Sequence, residues 1–130
     1  LSCGRGTDSP FQLFGHPGMP DRGFSFVPEP NEGASDPPYK GQRCYGVDLR
    51  EALDEGIVPA PEINLQWLID AYNDFPEKEN FFNSYIRLLA GNEKLKQQII
   101  SGMSEDEIRS TWQDDLAAFK EIRKKYLLYD

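Results

Sequence analysis

A short run near the start of the sequence places several polar side chains between glycines. Gly4 and Gly6 flank Arg5, and Thr7 and Asp8 follow directly. A guanidinium, a hydroxyl and a carboxylate on such a loop suit the binding of a polar or anionic ligand, because glycine allows backbone conformations that other residues resist. The same loop also suits a hydrogen-bonded corner that only stabilises the fold, and the residues leave both readings open.

Arg5 is the residue of this loop with the clearest binding chemistry. Its planar guanidinium can hold a carboxylate through two hydrogen bonds. That carboxylate is either Asp8 or Asp48 within the chain, or an acid on a ligand. The loop lacks the lysine of a P-loop and the full GxGxxG spacing, so it does not indicate nucleotide binding.

A second polar cluster lies further along the chain, at Tyr39–Gln42, where an aromatic ring and the cation of Lys40 precede the amide of Gln42. Aromatic faces with amides and charges are typical of sugar sites, although they are equally ordinary in a loop. The predicted ligand-binding residues of the chain are Arg5, Thr7, Asp8, Lys40 and Gln42.

The residues that could perform catalysis give a weaker signal. His16 is the only histidine, and its turn-like position between Gly15 and Pro17 favours a structural role. A metal site with several histidines is therefore excluded, and no EF-hand spacing occurs. We predict no metal site and no cofactor.

Carboxylates are plentiful, and a pair of them usually catalyses glycoside hydrolysis. The runs Glu105–Glu107 and Asp114–Asp115 indicate solvated helix surface, since adjacent helical residues point about 100° apart. Asp8 and Asp48 lie beside glycines and are better candidates for site carboxylates, with structural hydrogen bonding as their favoured role. We assign no catalytic residue.

Length and charge limit the class of protein. The 130 residues suit a single domain, and the formal net charge of −8 disfavours nucleic acids and anionic membranes as partners. No apolar run approaches the roughly 20 residues that span a bilayer. Because the chain starts at Leu1 without an initiator methionine, we expect a piece of a longer protein or a mature fragment.

The first half of the chain, residues 1–60, predicts strands and loops. Alternating apolar residues and glycine or proline punctuation indicate strands at Leu1–Arg5, Phe24–Pro28 and Tyr39–Leu49, and one helical turn at Ser9–Phe14. Two cysteines in these strands, Cys3 and Cys44, show no metal-binding spacing and are expected to be buried free thiols.

The second half, residues 61–130, predicts helices. They are expected from Pro61 to a stop before Pro76, over Asn80–Ala90, from Asn92 to Gly102, and from Ser104 onward. The last helix has the clearest start, because Ser104 and Glu107 form a capping box. Leu89, Leu116 and Phe119 are among the side chains expected to face the core. The predicted fold is α+β, with a small antiparallel or mixed sheet from the first half and the helices of the second half packed on it.

Motifs spread over nearly the whole chain occur together in one protein family. In order they are Leu1, Ser2, Gly4 to Asp8, Pro10, Phe11, Phe14, Gly15, Pro17, Tyr39 to Gln42, Cys44, Gly46, Val47, Gly102, Ser104, Glu107, Ile108, Trp112, Phe119, Arg123 and Tyr126 to Tyr129. This set resembles the C-terminal domain of the DUF1343 proteins, which include exo-β-N-acetylmuramidases of the NamZ type.

The resemblance implies a two-domain glycosidase whose N-terminal Rossmann-like domain carries the catalytic acids. The C-terminal domain, which this chain resembles, would help to form the substrate cleft, and alone it would be inactive. The family releases terminal N-acetylmuramic acid from peptidoglycan fragments, so a muropeptide or amino sugar is the implied substrate. A periplasmic or secreted location in a bacterium follows from the same resemblance. The lactyl carboxylate of muramic acid would suit Arg5 or Lys40.

Two other functions stay open. The glycine loop could dock the N-terminal domain through hydrogen bonds without touching a sugar, which would make this chain a structural module. A self-contained catalytic domain that uses Asp8 or Asp48 is the third hypothesis. Hydrolysis of a chromogenic muramide by this chain alone would support it, and we expect none.

Overall fold

The structure is a computed structural model that describes residues 1–50, 52 and 63–128. It contains two compact units, Leu1–Asn83 and Ser84–Asp130. Within the described residues, a three-stranded antiparallel sheet comes from the first half of the chain and six helices come from the second. The α+β class predicted from the sequence is confirmed. None of the described helices is long and apolar enough to cross a membrane.

The sheet belongs to the first unit and consists of β1 (Leu13–His16), β2 (Ser25–Phe26) and β3 (Cys44–Asp48). The strand order is β1-β3-β2, and both neighbours of β3 run antiparallel to it. The predictions of strands around β2 and β3 are confirmed, although both strands are shorter than expected. His16 ends β1, so the turn-like setting predicted for it begins one residue later.

Two glycines face each other in the pairing of β1 with β3. Gly15 lies opposite Gly46 in the register. A Cβ atom on Gly15 would approach the carbonyl oxygen of Tyr45 to 2.5 Å, and one on Gly46 would overlap the carbonyl oxygen of Phe14. The two backbones therefore approach so closely that neither strand can carry a side chain here.

The segment before β1 differs from the prediction. Leu1–Arg5 forms no strand and contributes a single bridge, in which Ser2 exchanges backbone hydrogen bonds of 2.8 and 3.0 Å with Gly15. The helical turn predicted at Ser9–Phe14 is also wrong. Phe11 has a φ of +64°, which a right-handed helix does not permit, and Gln12 instead closes a tight turn onto Ser9.

Among its described residues, the first unit also contains the helices α1 (Gln66–Asp74) and α2 (Lys78–Phe81). Ile69, Ala71 and Tyr72 are buried on α1. Ile63, which lies within the predicted helix, precedes the observed one and is 69% exposed. The helix start predicted at Pro61 lies outside the described residues.

The helix predicted over Asn80–Ala90 is wrong, because the chain forms two helices there. α2 ends at Phe81, and α3 covers Ile86–Ala90. Phe82 has extended dihedral angles and stacks on the ring of Tyr72 with centroids 5.6 Å apart. The aromatic contact therefore holds the chain out of the helical conformation, which sequence periodicity alone does not show.

The second unit is helical, with α3 followed by α4 (Lys94–Ile100), α5 (Glu105–Ser110) and α6 (Gln113–Lys124). The predicted helix starts are confirmed. The side chain of Asn92 accepts a 2.9 Å hydrogen bond from the backbone of Lys94, and both hydrogen bonds of the capping box at Ser104 are present. The helices bury Ile99 and Ile108 almost completely.

The helix predicted from Ser104 is broken after one and a half turns. The hydroxyl of Thr111 donates to the carbonyl of Ile108 at 2.7 Å, and Trp112 leaves the helical region before α6 begins. Three side chains predicted to face the core are exposed: Leu89 by 73%, Leu116 by 39% and Phe119 by 57%. The last helix ends at Lys124, so Tyr126 lies beyond it, while Tyr129 lies outside the described residues.

Candidate functional site

The glycine loop Gly4–Asp8 is held from within by Thr7. The Thr7 hydroxyl donates to the carbonyl of Gly4 at 2.7 Å and accepts the backbone N–H of Ser9 at 3.1 Å. Both hydrogen-bonding directions of the hydroxyl are thus used inside the loop. Thr7 therefore shapes the loop, as the structural reading of this residue predicts.

A second loop packs against the first and fixes its position. The backbone N–H of Glu29 donates to the carbonyl of Gly6 at 2.8 Å, and the Asn31 side chain donates to the carbonyl of Thr7 at 3.4 Å. Gly6 has a φ of +84°, and a Cβ atom there would lie 2.6 Å from the ring of Pro37. The loop is consequently a packed corner whose backbone is set by its neighbours.

Arg5 lies at the exposed outer side of this corner. Its side chain forms no hydrogen bond or ion pair with any residue that the structure describes. Asp48, one of its two predicted internal partners, is held by Arg50, whose Nε donates to Asp48 Oδ1 at 2.8 Å. These hydrogen bonds from Arg50 lower the pKa of Asp48. The hypothesis that Asp8 or Asp48 neutralises Arg5 is wrong for the described structure.

A cavity of about 510 Å³ opens beside Arg5. Its lining combines Arg5 and Thr7 with the ring of Phe11 and with the turn Asn31–Ala34. The turn is closed by two backbone hydrogen bonds between Asn31 and Ala34, of 3.0 and 3.1 Å. The cavity thus presents a cation, an aromatic ring and the polar groups of a tight turn to one space, which is an arrangement that suits a small polar ligand.

The structure brings only part of the predicted site together. The lining of this cavity does not include Asp8, which is exposed, nor Lys40 and Gln42. Lys40 lies 3.8 Å from Asp36 in an exposed ion pair, and Gln42 is held through its backbone N–H, which donates to the carbonyl of Tyr39 at 2.9 Å. Lys40 and Gln42 therefore form a separate surface region.

The sequence reasoning missed Phe11 and the turn Asn31–Ala34 as members of the site. Ser9 and Pro10 do signal a turn, because proline is favoured at its second position, and this could have placed Phe11 at an exposed corner. Nothing local in the sequence shows that Asn31 reaches Thr7. The hydrogen bond between these residues links positions 24 apart.

The environment of His16 is structural. Its Nδ1 accepts the backbone N–H of Gly18 at 3.0 Å, and its ring contacts those of Tyr39 and Phe75 with centroids 4.8 and 4.5 Å away. Burial in these contacts lowers the pKa of His16. A lone imidazole that serves as a packed hydrogen-bond acceptor agrees with the structural role that the sequence favours.

The two thiols have different environments. Cys44 is buried in β3, and burial raises the pKa of its thiol to about 11, so it stays protonated at neutral pH. Cys3 is a free but exposed thiol, because the predicted strand around it does not form; its predicted burial is wrong. In the residues that the structure describes, no three His, Cys, Asp or Glu side chains converge to hold a metal ion.

A second cavity, of about 310 Å³, lies in the same unit between the segment before β1 and α1. Its lining is mainly apolar and includes Cys3, Leu13, Phe14, Trp67 and Leu68, together with Phe11, which also borders the cavity beside Arg5. None of the predicted binding residues borders it. The cavity beside Arg5, which two of the predicted binding residues line, is therefore the candidate functional site.

Comparisons with known proteins agree with one another. Residues 1–129 match the family described as exo-β-N-acetylmuramidase NamZ, C-terminal. The chain is 29% identical over 147 aligned positions to the peptidoglycan β-N-acetylmuramidase NamZ of Bacillus subtilis (strain 168), covering 99% of this chain and 34% of that protein. It is similar to the crystal structure of a DUF1343 family protein from Bacteroides fragilis NCTC 9343, with 42% identity and a TM-score of 0.89 over 99% of this chain and 36% of the other. The chain thus spans about a third of the length of each of these relatives.

Proposed function

Because the chain belongs to the family of C-terminal domains of exo-β-N-acetylmuramidase NamZ, we propose that it is the accessory, substrate-cleft domain of a peptidoglycan-degrading glycosidase. In this proposal the chain contacts the substrate, while a companion N-terminal domain carries the catalytic acids. The substrate is a muropeptide or amino sugar that ends in N-acetylmuramic acid. The whole enzyme acts on cell-wall fragments in the periplasm or outside the cell.

One observation carries the ligand contact. Arg5 extends beside a cavity without a charged partner among the described residues, although it stands on a rigid, hydrogen-bonded corner. An arginine in this situation is ready for a carboxylate, and the lactyl group of muramic acid supplies one. Lys40 and Gln42 would provide contacts at their separate surface region, and Asp8 would accept hydrogen bonds from sugar hydroxyls.

The assignment of catalysis to another domain rests on the chemistry of this one. Asp48 is bound by Arg50, and Glu107 completes the capping box of α5, so both carboxylates already hold the fold. His16 is packed between two aromatic rings. We therefore expect this chain alone to leave muramide substrates uncleaved.

The proposal predicts that Arg5→Ala lowers kcat/KM of the enzyme that contains this chain by about tenfold to a hundredfold, since a hydrogen-bonded charge contact contributes about 1.5–3 kcal/mol. Steady-state kinetics with a chromogenic muramide would measure the change, and KM should rise. Arg43→Ala is the matched control, because Arg43 is an exposed arginine that does not border the cavity and bonds only Ser25 among described residues. Equal kinetics of the folded Arg5→Ala enzyme and the wild type would remove Arg5 from the site.

A second function is favoured by the rigidity of the glycine loop itself. The hydrogen bonds of Thr7 and Asn31 could serve only to shape a surface that docks the N-terminal domain. A crystal of the two-domain protein soaked with N-acetylmuramic acid would separate the proposals. Ligand density bounded by the N-terminal domain alone would favour the docking module, and density against Arg5 would favour the cleft domain.

A further inference from the structure

Phe11 combines a strained backbone with a ring that the described fold leaves uncovered. Its φ of +64° lies in the left-handed region, and its side chain is 72% exposed. Two hydrogen bonds impose this conformation. The N–H of Phe11 donates to the carbonyl of Cys3 at 2.8 Å, and the N–H of Gln12 donates to the carbonyl of Ser9 at 3.2 Å. Glycine would adopt this conformation without strain.

Tyr39 has the same left-handed backbone conformation, but its ring is packed against another side chain. It is the other described non-glycine residue with a positive φ, of +60°. Its ring packs edge-on against His16, with centroids 4.8 Å apart, and it is half-buried. The ring of Phe11 has no aromatic contact among the described residues, and it borders both the cavity beside Arg5 and the apolar cavity near Leu13. A ring held outward at the wall of a cavity points to a ligand.

The cavity wall around Phe11 offers the other groups that a sugar requires. Arg5 provides a cation on one side, and the turn Asn31–Ala34 provides polar groups on the other. Glu32 and Gly33 at the tip of this turn form no hydrogen bond with any described residue, so the Glu32 carboxylate and the backbone N–H groups remain open to a ligand. A pyranose ring has an apolar C–H face that packs on aromatic rings, and hydroxyl or acetamido groups at its edge.

We propose that Phe11 is the stacking platform of a subsite for one acidic, N-acetylated pyranose in the cavity beside Arg5. The sugar ring lies on the Phe11 side chain, its carboxylate pairs with Arg5, and its hydroxyl and acetamido groups bond the Asn31–Ala34 turn. This inference rests on the proposed function for the identity of the sugar. It adds that Phe11 positions the sugar ring, and that the residues of this chain alone form the subsite.

The test is an NMR titration of the isotope-labelled chain with N-acetylmuramic acid and with N-acetylglucosamine, which lacks the lactyl carboxylate. Phe11→Gly removes the ring and suits the left-handed backbone, so the variant keeps its fold. Phe11→Asn is a second such variant, because asparagine tolerates this conformation. Phe11→Trp retains an aromatic face and serves as the rescue variant.

We expect N-acetylmuramic acid to shift the amide signals of residues 5–11 and 31–34 in the wild type. Phe11→Gly and Phe11→Asn should weaken the affinity for both sugars about tenfold, and Phe11→Trp should restore it. Arg5→Ala should weaken only the acidic sugar. Unchanged affinity in the folded Phe11→Gly chain, or no shifts in the wild type, would overturn the subsite. The proposed function fails separately, through unchanged kinetics of the Arg5→Ala enzyme.

Discussion

At the scale of single residues, Gly6 explains why the corner under Arg5 keeps its shape. Its carbonyl accepts the N–H of Glu29, and the space that a side chain would need is filled by Pro37. The position of Arg5 thus depends on a neighbour that has no side chain. A binding residue on a loop gains precision when packing over-determines the backbone beneath it.

We expect Gly6→Ala to lower the free energy of unfolding by about 2 kcal/mol or more, because alanine suffers both a positive φ and a clash with Pro37. Urea denaturation would measure the loss. Gly41→Ala is the matched control, since Gly41 has a φ of +70° and no atom within 4 Å of its added Cβ. It should lose about 1 kcal/mol. Equal losses in the two variants would show that the contact with Pro37 does not constrain the loop.

His16 makes the stability of the folded chain decrease as the pH falls. Burial lowers its pKa from the ordinary value of 6.5, so the unfolded chain takes up a proton before the folded chain does as the pH falls. This contribution to stability is therefore present above pH 6.5 and is lost as the pH falls from 6.5 through the lowered pKa of the folded state. Protonation of Nδ1 would also remove the hydrogen bond from Gly18.

We expect the midpoint of urea unfolding to fall more between pH 7.5 and pH 5 in the wild type than in His16→Asn. Asparagine can place an amide oxygen near the position of Nδ1, so it keeps an acceptor for Gly18 without titrating. An NMR titration of the single imidazole would give its pKa directly. A value at or above 6.5 would contradict this explanation.

At the scale of elements, the start of α5 has the strongest local signal in the chain. Ser104 accepts the N–H of Glu107 at 3.3 Å, and the Glu107 carboxylate accepts the N–H of Ser104 at 2.8 Å. Two backbone N–H groups are satisfied by residues three positions apart, and Ile108 behind them is fully buried. The cap therefore fixes the first residue of the helix, and with it the position of Ile108, the buried residue of α5.

We expect Ser104→Ala to lower the free energy of unfolding by about 1 kcal/mol, through loss of the cap. Ser110→Ala in the same helix is the control, because Ser110 is exposed and its hydroxyl bonds only the carbonyl of Glu107. That variant should stay within about 0.5 kcal/mol of the wild type. Chemical denaturation of both variants decides the matter, and an equal change in each would show that the capping box adds nothing.

The fold class, the positions of β2 and β3 and the helix starts at Asn92 and Ser104 could be predicted from the sequence because their signals are local. Caps and prolines act within a turn, and alternation acts within a strand. The break at Phe82 could not be predicted, since it accompanies a contact with the ring of Tyr72, which lies in another helix. The break at Thr111 accompanies a local hydrogen bond from its hydroxyl to the carbonyl of Ile108, a bond that threonine also forms inside unbroken helices.

The candidate site likewise contains residues that the sequence indicates and residues that only the folded chain brings together. Arg5 and Thr7 could be named from the glycines around them, and both line the cavity. Their companion turn at Asn31–Ala34 lies in another loop, and only the folded chain brings it to Thr7. Lys40 and Gln42 do not line the cavity that Arg5 borders, because residue chemistry shows what a side chain can bind, whereas the packing of loops decides which side chains share a cavity.

At the scale of the whole molecule, charge and exposed apolar groups act against each other. The formal net charge is −8, and α6 carries no buried residue, with Phe119 and Ile122 each more than half exposed. At neutral pH, mutual repulsion keeps copies of an acidic chain apart. Near the isoelectric point that repulsion disappears, while the apolar side chains remain.

We expect light scattering of this chain to rise as the pH approaches its sequence pI of about 4.6, and added salt at neutral pH to raise it less. The double variant Phe119→Ser, Ile122→Ser should scatter less at that pH, because it removes apolar surface without changing the charge. Gln113→Ser on the same helix is the control. If the double variant and the control scatter as strongly as the wild type, α6 does not mediate the association.

The facing glycines of β1 and β3 have a consequence for how this domain can vary. Gly15 and Gly46 lie opposite each other where the two backbones leave no room for a Cβ atom. Each position is closed to all other amino acids for as long as its partner strand stays where it is. A side chain at either position would therefore require the two strands to move apart. The two glycines thus mark, within the sequence, which residues of β1 and β3 lie opposite each other.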